Sequence, residues 1–204
     1  MILTLIDPAI LPDVLGVFDR DLSGPARTAF RRIADTLRLA PDLRADLHAG
    51  RAKAIRLAHR LGIATIDEEP AAAFSWDGHA IRTRSETSVV FHEIAHWQLT
   101  PPDRRLRPDF GLGAGPETGR IQDADAAACV DGATKESEEN LASLLGILWE
   151  TEHGEPAIIA LAEQNWLELP DRPHTPQHFA ACLDQLIARG LVDSTTAIPI
   201  APRP

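Results

Sequence analysis

Two histidines stand four residues apart in Phe91-His92-Glu93-Ile94-Ala95-His96-Trp97, with a glutamate directly after the first. On a helix, positions i and i+4 lie one above the other, so His92 and His96 would face the same way and could share one metal ion. Glu93 would project beside them, placed to exchange a proton or to hold a reacting water by a hydrogen bond. The flanking Val89, Val90, Phe91 and Trp97 are apolar, and unpaired imidazoles in an apolar layer are costly. A metal site is therefore favoured over two core histidines satisfied by hydrogen bonds.

Such a site needs a third protein ligand, with a position left open if it is catalytic. Lys135-Glu136-Ser137-Glu138-Glu139-Asn140 opens a later helical block and offers three carboxylates. Some of these glutamates would simply complement the helix dipole. Helical phase does not choose among them: Glu138 shares a stripe with Leu141, Leu145 and Leu148, and Glu139 with Ala142, Gly146 and Trp149.

The elements that must position these groups are mainly helical. Ala29, Phe30, Ile33, Ala34, Leu37 and Leu39 repeat at the helical period from Pro25 onward. Leu43, Leu47, Ala54, Ile55, Leu57 and Leu61 predict a second helix that runs through Gly50 to Gly62. Ala64-Thr65-Ile66 and Ala73-Phe74-Ser75-Trp76 have strand texture, and Asp77-Gly78 predicts a hairpin turn returning along His79–Thr83. Ser85 is the expected cap of the histidine helix, which Thr100-Pro101-Pro102 ends. A long stretch rich in glycine, proline and aspartate follows to Ala133 and reads as an irregular loop, functional or mobile. Helices are then expected from near Lys135, from Pro156 to Leu167, and from Pro176 to Arg189 with Gly190 after its end. Ile2–Ile6 suits a strand or an extended arm, and the proline-rich tail reads as peripheral.

At this length one domain is expected over 1–204. It divides into an N-terminal helical part (1–62), a metal-site core (63–190) and the tail (191–204). The fold class expected is α+β, with a small sheet beside the metal-binding helix. Thirty acidic residues against twenty basic ones give a net charge of -10, which disfavours nucleic acid and anionic membrane surfaces as partners. No apolar run reaches the roughly 20 residues needed to span a bilayer. The apolar start lacks a basic leader and soon meets Asp7-Pro8, so a cytoplasmic protein is expected. Cys129 and Cys182 have no metal-ligand spacing and no cationic neighbour, and read as plain thiols.

His92-Glu93-Ile94-Ala95-His96-Trp97, six residues, Arg104-Arg105, three residues and Asp109-Phe110-Gly111 resemble the signature of the elongation factor P hydroxylase family. The resemblance extends over about Thr83 to Gly190. It departs at Leu112-Gly113-Ala114-Gly115-Pro116-Glu117, where that family has an aromatic-rich stretch with a cysteine, and it finds no counterpart for the N-terminal helices. The family's helix-opening glutamate falls on Glu139, because Leu144-Leu145, Ile147-Leu148-Trp149 and Gly154-Glu155-Pro156 then find their counterparts. The resemblance implies His92, His96 and Glu139 as ligands of Fe(II), Glu93 as the acid/base residue, and oxygen-dependent hydroxylation of a modified lysine on a translation factor.

The motif is also similar to that of zincin-like metallopeptidases, which implies Zn²⁺ and peptide hydrolysis. Glu138-Glu139-Asn140-x-Ala142 resembles the second helix of the compact bacterial members. A third reading is a protein-binding module that keeps its metal as a structural clip. Arg104, Arg105 and Arg107 form a basic cluster near the motif, suited to a substrate carboxylate or an acidic protein partner, or, for Arg105, to a structural pair with Asp109. Gly111-x-Gly113-x-Gly115 lacks the spacing of a dinucleotide loop. Trp97 is expected in the core, and His153, His174 and His178 near the surface.

Overall fold

A computed structural model describes residues 6–7, 9–41, 43–167 and 174–201. Their backbone is mostly helical with one small sheet, an α+β composition. Among the described residues no helix is long and apolar enough to cross a membrane. The chain forms two compact units, one drawn from Met1–Asp46 and Ser143–Ala201, the other from Leu47–Ala142.

The first unit packs α1 (Leu11–Asp21), α2 (Gly24–Ala34), α7 (Ala157–Glu163) and α8 (Thr175–Ala188). The second half of α6 (Gly132–Glu152) also belongs to it. Phe18 stacks on Phe30 at 4.6 Å, and the edge of Phe179 meets Phe18 at 5.7 Å. Each of these rings is fully buried, worth about 1.5–3 kcal/mol in transfer alone. Thr36 Oγ1 donates to Ile33 O and accepts the Ile158 N–H, which ties the end of α2 to the start of α7.

The sequence signals did not mark α1, whose apolar spacing is interrupted by Gly16. The tail is not peripheral over its first half. Val192 bridges to Pro199, Ala197 is fully buried, and Arg32 donates to Ala197 O. Asp193 closes that turn by accepting the Thr195 and Thr196 N–H groups. Residues 2–5 of the expected arm and the last three of the tail lie outside the described residues.

The second unit holds α3 (Arg51–Arg60), the strands β1 (Ala64–Ile66) and β2 (Ala80–Arg82), α4 (Thr87–Leu99), α5 (Ile121–Ala126) and the first turns of α6. The expected helix from Leu43 to Leu61 is shortened to α3, with Gly50 at its N-terminal boundary. Leu43 is left-handed at φ 56°. Farther along, Leu47 O accepts the Thr87 N–H and His48 Nδ1 meets Ser85 O, so these residues serve the start of α4 instead of a helix.

The expected hairpin is also corrected. Asp77 Oδ1 does accept the His79 and Ala80 N–H groups across the turn, but the pairing shrinks to a single Trp76–Ile81 bridge. The sheet is instead parallel, with Ala64 opposite Ala80 and Ile66 opposite Arg82. Two outward-looking groups explain the loss: Ala73 O accepts the Arg120 N–H, and Phe74 O accepts the Arg82 guanidinium. β2 lies against α4, so the small sheet does stand beside the histidine helix.

Candidate metal centre

Val90, Phe91, Ile94 and Ala95 are fully buried and fix the face that α4 turns to the core of its unit. Glu86, not Ser85, takes the N-cap position with extended backbone, and the Ser85 hydroxyl donates to Glu117 Oε2. The helix ends at Thr100, before Pro101-Pro102, as expected.

The four-residue spacing brings His92 Nε2 and His96 Nε2 to 2.9 Å, with the rings edge-on at 85°. From α6, Glu139 Oε2 reaches within 3.3 Å of His92 Nε2 and 3.4 Å of His96 Nε2. Ligand bonds of about 2.0–2.2 Å separate neighbouring donors by about 3.3–3.6 Å at tetrahedral angles and about 2.8–3.1 Å at right angles. The triangle falls within that span, so two imidazole nitrogens and one carboxylate oxygen can hold a metal ion. Among the described residues this is the one such group of three or more His, Cys, Asp or Glu side chains, and it includes none of His153, His174 and His178.

The three groups shift one another's affinity for protons. Burial, reinforced by His96, pushes His92 below the usual imidazole range and so favours its neutral form. Burial works against charge on His96, but the Glu139 carboxylate outweighs it and holds His96 above that range. Burial likewise opposes the charge on Glu139, yet hydrogen bonds from both imidazoles hold it well below the usual carboxylate range.

Glu93 is buried on the same helix. Desolvation pushes its carboxyl up to about 8, against the opposing charge of His96 and with the help of Asp109 and Glu139. A carboxyl with a strongly perturbed affinity for its proton beside convergent ligands marks a candidate acid/base group.

The remaining candidates are placed as follows. Glu138 forms an ion pair with Arg104, and both side chains are largely buried. Glu136 is exposed. Arg105 lies over the half-buried Trp97 ring at 3.8 Å and donates from Nε to Thr100 O, with no pairing to Asp109. Arg107 reaches Ala127 O. Asp109 instead accepts the Thr118 hydroxyl at 2.6 Å and the Trp76 N–H.

Sequence reasoning missed the group behind His96. Asp109 and Phe110 are left-handed, at φ 42° and 55°, and carry the Phe110 ring between Trp76 and His96. The stretch expected to be irregular holds this turn, a second short one at Arg104–Leu106, and α5. Nothing in the local residue types announces two successive non-glycine left-handed positions; Trp76 and Thr118 are likewise distant in sequence. Cys129 is exposed, and burial pushes Cys182 up to about 11, so the buried thiol is not activated.

No family model, curated protein or solved structure matches this chain.

Proposed function

We propose that this chain is a metal-dependent hydroxylase of the elongation factor P hydroxylase type, acting in the cytoplasm on a lysine-derived side chain of a protein substrate. The observation that carries this reading is the approach of Glu139 to both His92 and His96. Glu139 is the glutamate that the family resemblance singles out, and it comes from a separate helix. Two imidazoles and a carboxylate on one side of an Fe(II) ion leave open positions at which oxygen can be activated.

The chain's own residues divide the remaining work. His92, His96 and Glu139 bind and orient the ion. Phe110 and Trp76 close the rear of the His96 ring against water. Glu93 is placed to deliver or accept a proton next to the ligand pair. The overall reaction inserts one atom of O₂ into a C–H bond and reduces the other to water, with two electrons from an external donor and two protons.

A zinc peptidase with a zincin-like fold is the second reading. It is favoured by the buried Glu93 directly beside the ligand pair, the arrangement that positions a general base in hydrolysis.

One experiment separates them. Purified chain is loaded with Fe(II) or Zn²⁺ and incubated with translation factors and with a peptide library. The hydroxylase reading expects the mass of one added oxygen atom only with Fe(II), O₂ and a reductant. Peptide cleavage with Zn²⁺ that Glu93→Gln abolishes, without oxygen transfer, would overturn it. Full biological function in Glu93→Gln would point to a structural clip.

A further inference from the structure

We propose that Arg104 is a positioning residue for the metal centre: its ion pair with Glu138 sets the rotation of α6 that presents Glu139 to His92 and His96. This inference rests on the reading of those three residues as ligands.

Successive residues on a helix point about 100° apart, so Glu138 and Glu139 cannot both face the histidine pair. Sequence phase gives no preference between them. The structure shows Glu138 held by Arg104 Nη2, with only 14% of the Glu138 side chain and 8% of the Arg104 side chain exposed. A buried pair of this kind is hard to break, since removing one partner leaves a charge without compensation.

Arg104 is itself firmly placed. Its backbone N–H donates to Pro101 O, two residues past the end of α4, so the main chain that carries Arg104 is fixed close to the helix that carries both histidines. A Cβ at Gly111 would stand 3.2 Å from Arg104 Cγ, which shows how closely the left-handed turn packs on the side chain. Arg104 Nε is buried without a hydrogen-bond partner among the described residues. The Glu138 contact therefore carries the polar fixation of the group. With Glu138 engaged, the neighbouring Glu139 is the carboxylate directed at the imidazoles.

The test compares full-length wild type, Arg104→Met, Arg104→Lys, Glu138→Gln and the Arg104→Met/Glu138→Gln double variant. Zn²⁺ and Co²⁺ affinities are read by competition with a chromophoric chelator, and thermal unfolding of the metal-free proteins is followed in parallel. Arg104→Met and Glu138→Gln should each weaken metal binding about 10–100-fold, the range of outer-shell ligand support. The double variant should lose no more than either single one, and Arg104→Lys should recover part of the loss.

Folded variants that bind metal as tightly as wild type, whatever their unfolding temperature, would overturn the proposal. Additive losses in the double variant would overturn it as well. Should Arg104→Met fail to fold, Glu138→Gln and Arg104→Lys carry the same comparison. A wild-type chain that binds neither ion would overturn the metal-centre reading itself, an outcome distinct from an intact centre indifferent to Arg104.

Discussion

Phe110 lies against the imidazole of His96, with ring centroids 5.4 Å apart and planes 24° from parallel, while Trp76 covers its other face at 5.2 Å. His96 Nδ1 is buried with no hydrogen-bond partner among the described residues, so the stack supports the ring where no polar contact does, while Nε2 faces His92 and Glu139. Replacing Phe110 by Ala removes the stack and opens a cavity, at a cost of about 3–5 kcal/mol. Calorimetry should show that loss, with weaker metal binding in the molecules that remain folded. Phe110→Leu, which keeps most of the volume, should lose less stability.

Two glycines mark backbone contacts that no side chain can share. A Cβ at Gly119 would stand 1.9 Å from Ala71 O, and one at Gly78, at φ +93°, would stand 2.6 Å from Leu106 O. Each Gly→Ala change should cost roughly 2 kcal/mol or more. Gly115, where the nearest atom would be the Thr118 hydroxyl at 3.9 Å, should accept Ala within about 0.5 kcal/mol. Denaturant unfolding of the three variants checks the contrast.

Glu93 separates binding from chemistry. It stands beside the ligands without being one of the convergent three. Glu93→Gln keeps the shape and removes the exchangeable proton. Metal affinity should stay within about tenfold of wild type, and turnover should fall by about 100-fold or more. Equal loss of both would place Glu93 among the ligands instead.

The two thiols should behave differently toward alkylation. Cys129 is exposed, and burial pushes Cys182 from an ordinary value of 9.0 up to about 11. At pH 8 native protein should lose one thiol quickly and the second only on unfolding. The sign for stability follows from linkage: between pH 9 and about 11 the unfolded chain ionises Cys182 and the folded chain does not. Stability should therefore fall as pH rises through that window, and Cys182→Ala should flatten this part of the curve.

The histidine helix was legible in the sequence because its evidence is local: a four-residue spacing, an apolar frame and a Pro101-Pro102 stop. The choice between Glu138 and Glu139 was not legible from phase, since each sits on its own apolar stripe. What distinguishes them is Arg104, 34 residues away from Glu138 in the chain. The Asp77-Gly78 turn was marked by its residue types, but its flanks could not reveal that Ile81 would pair chiefly with Thr65 in parallel. Leu47 and His48 follow a helical pattern yet bond to the start of α4, a tertiary demand that overrides local propensity. The rear wall at Phe110 depends on two successive left-handed positions, the second at a bulky Phe that rarely adopts them, and it is held by Thr118 and Trp76 from elsewhere in the unit.

The central claim is that His92, His96 and Glu139 together hold one metal ion. Metal stoichiometry and affinity, measured by elemental analysis and chelator competition on wild type, His92→Ala, His96→Ala and Glu139→Gln, test it most directly. One ion per wild-type chain is predicted, with affinity reduced more than about 100-fold in each variant, beyond the usual effect of outer-shell changes. No stoichiometric ion in wild type, or a Glu139→Gln variant that binds as tightly as wild type, would contradict it.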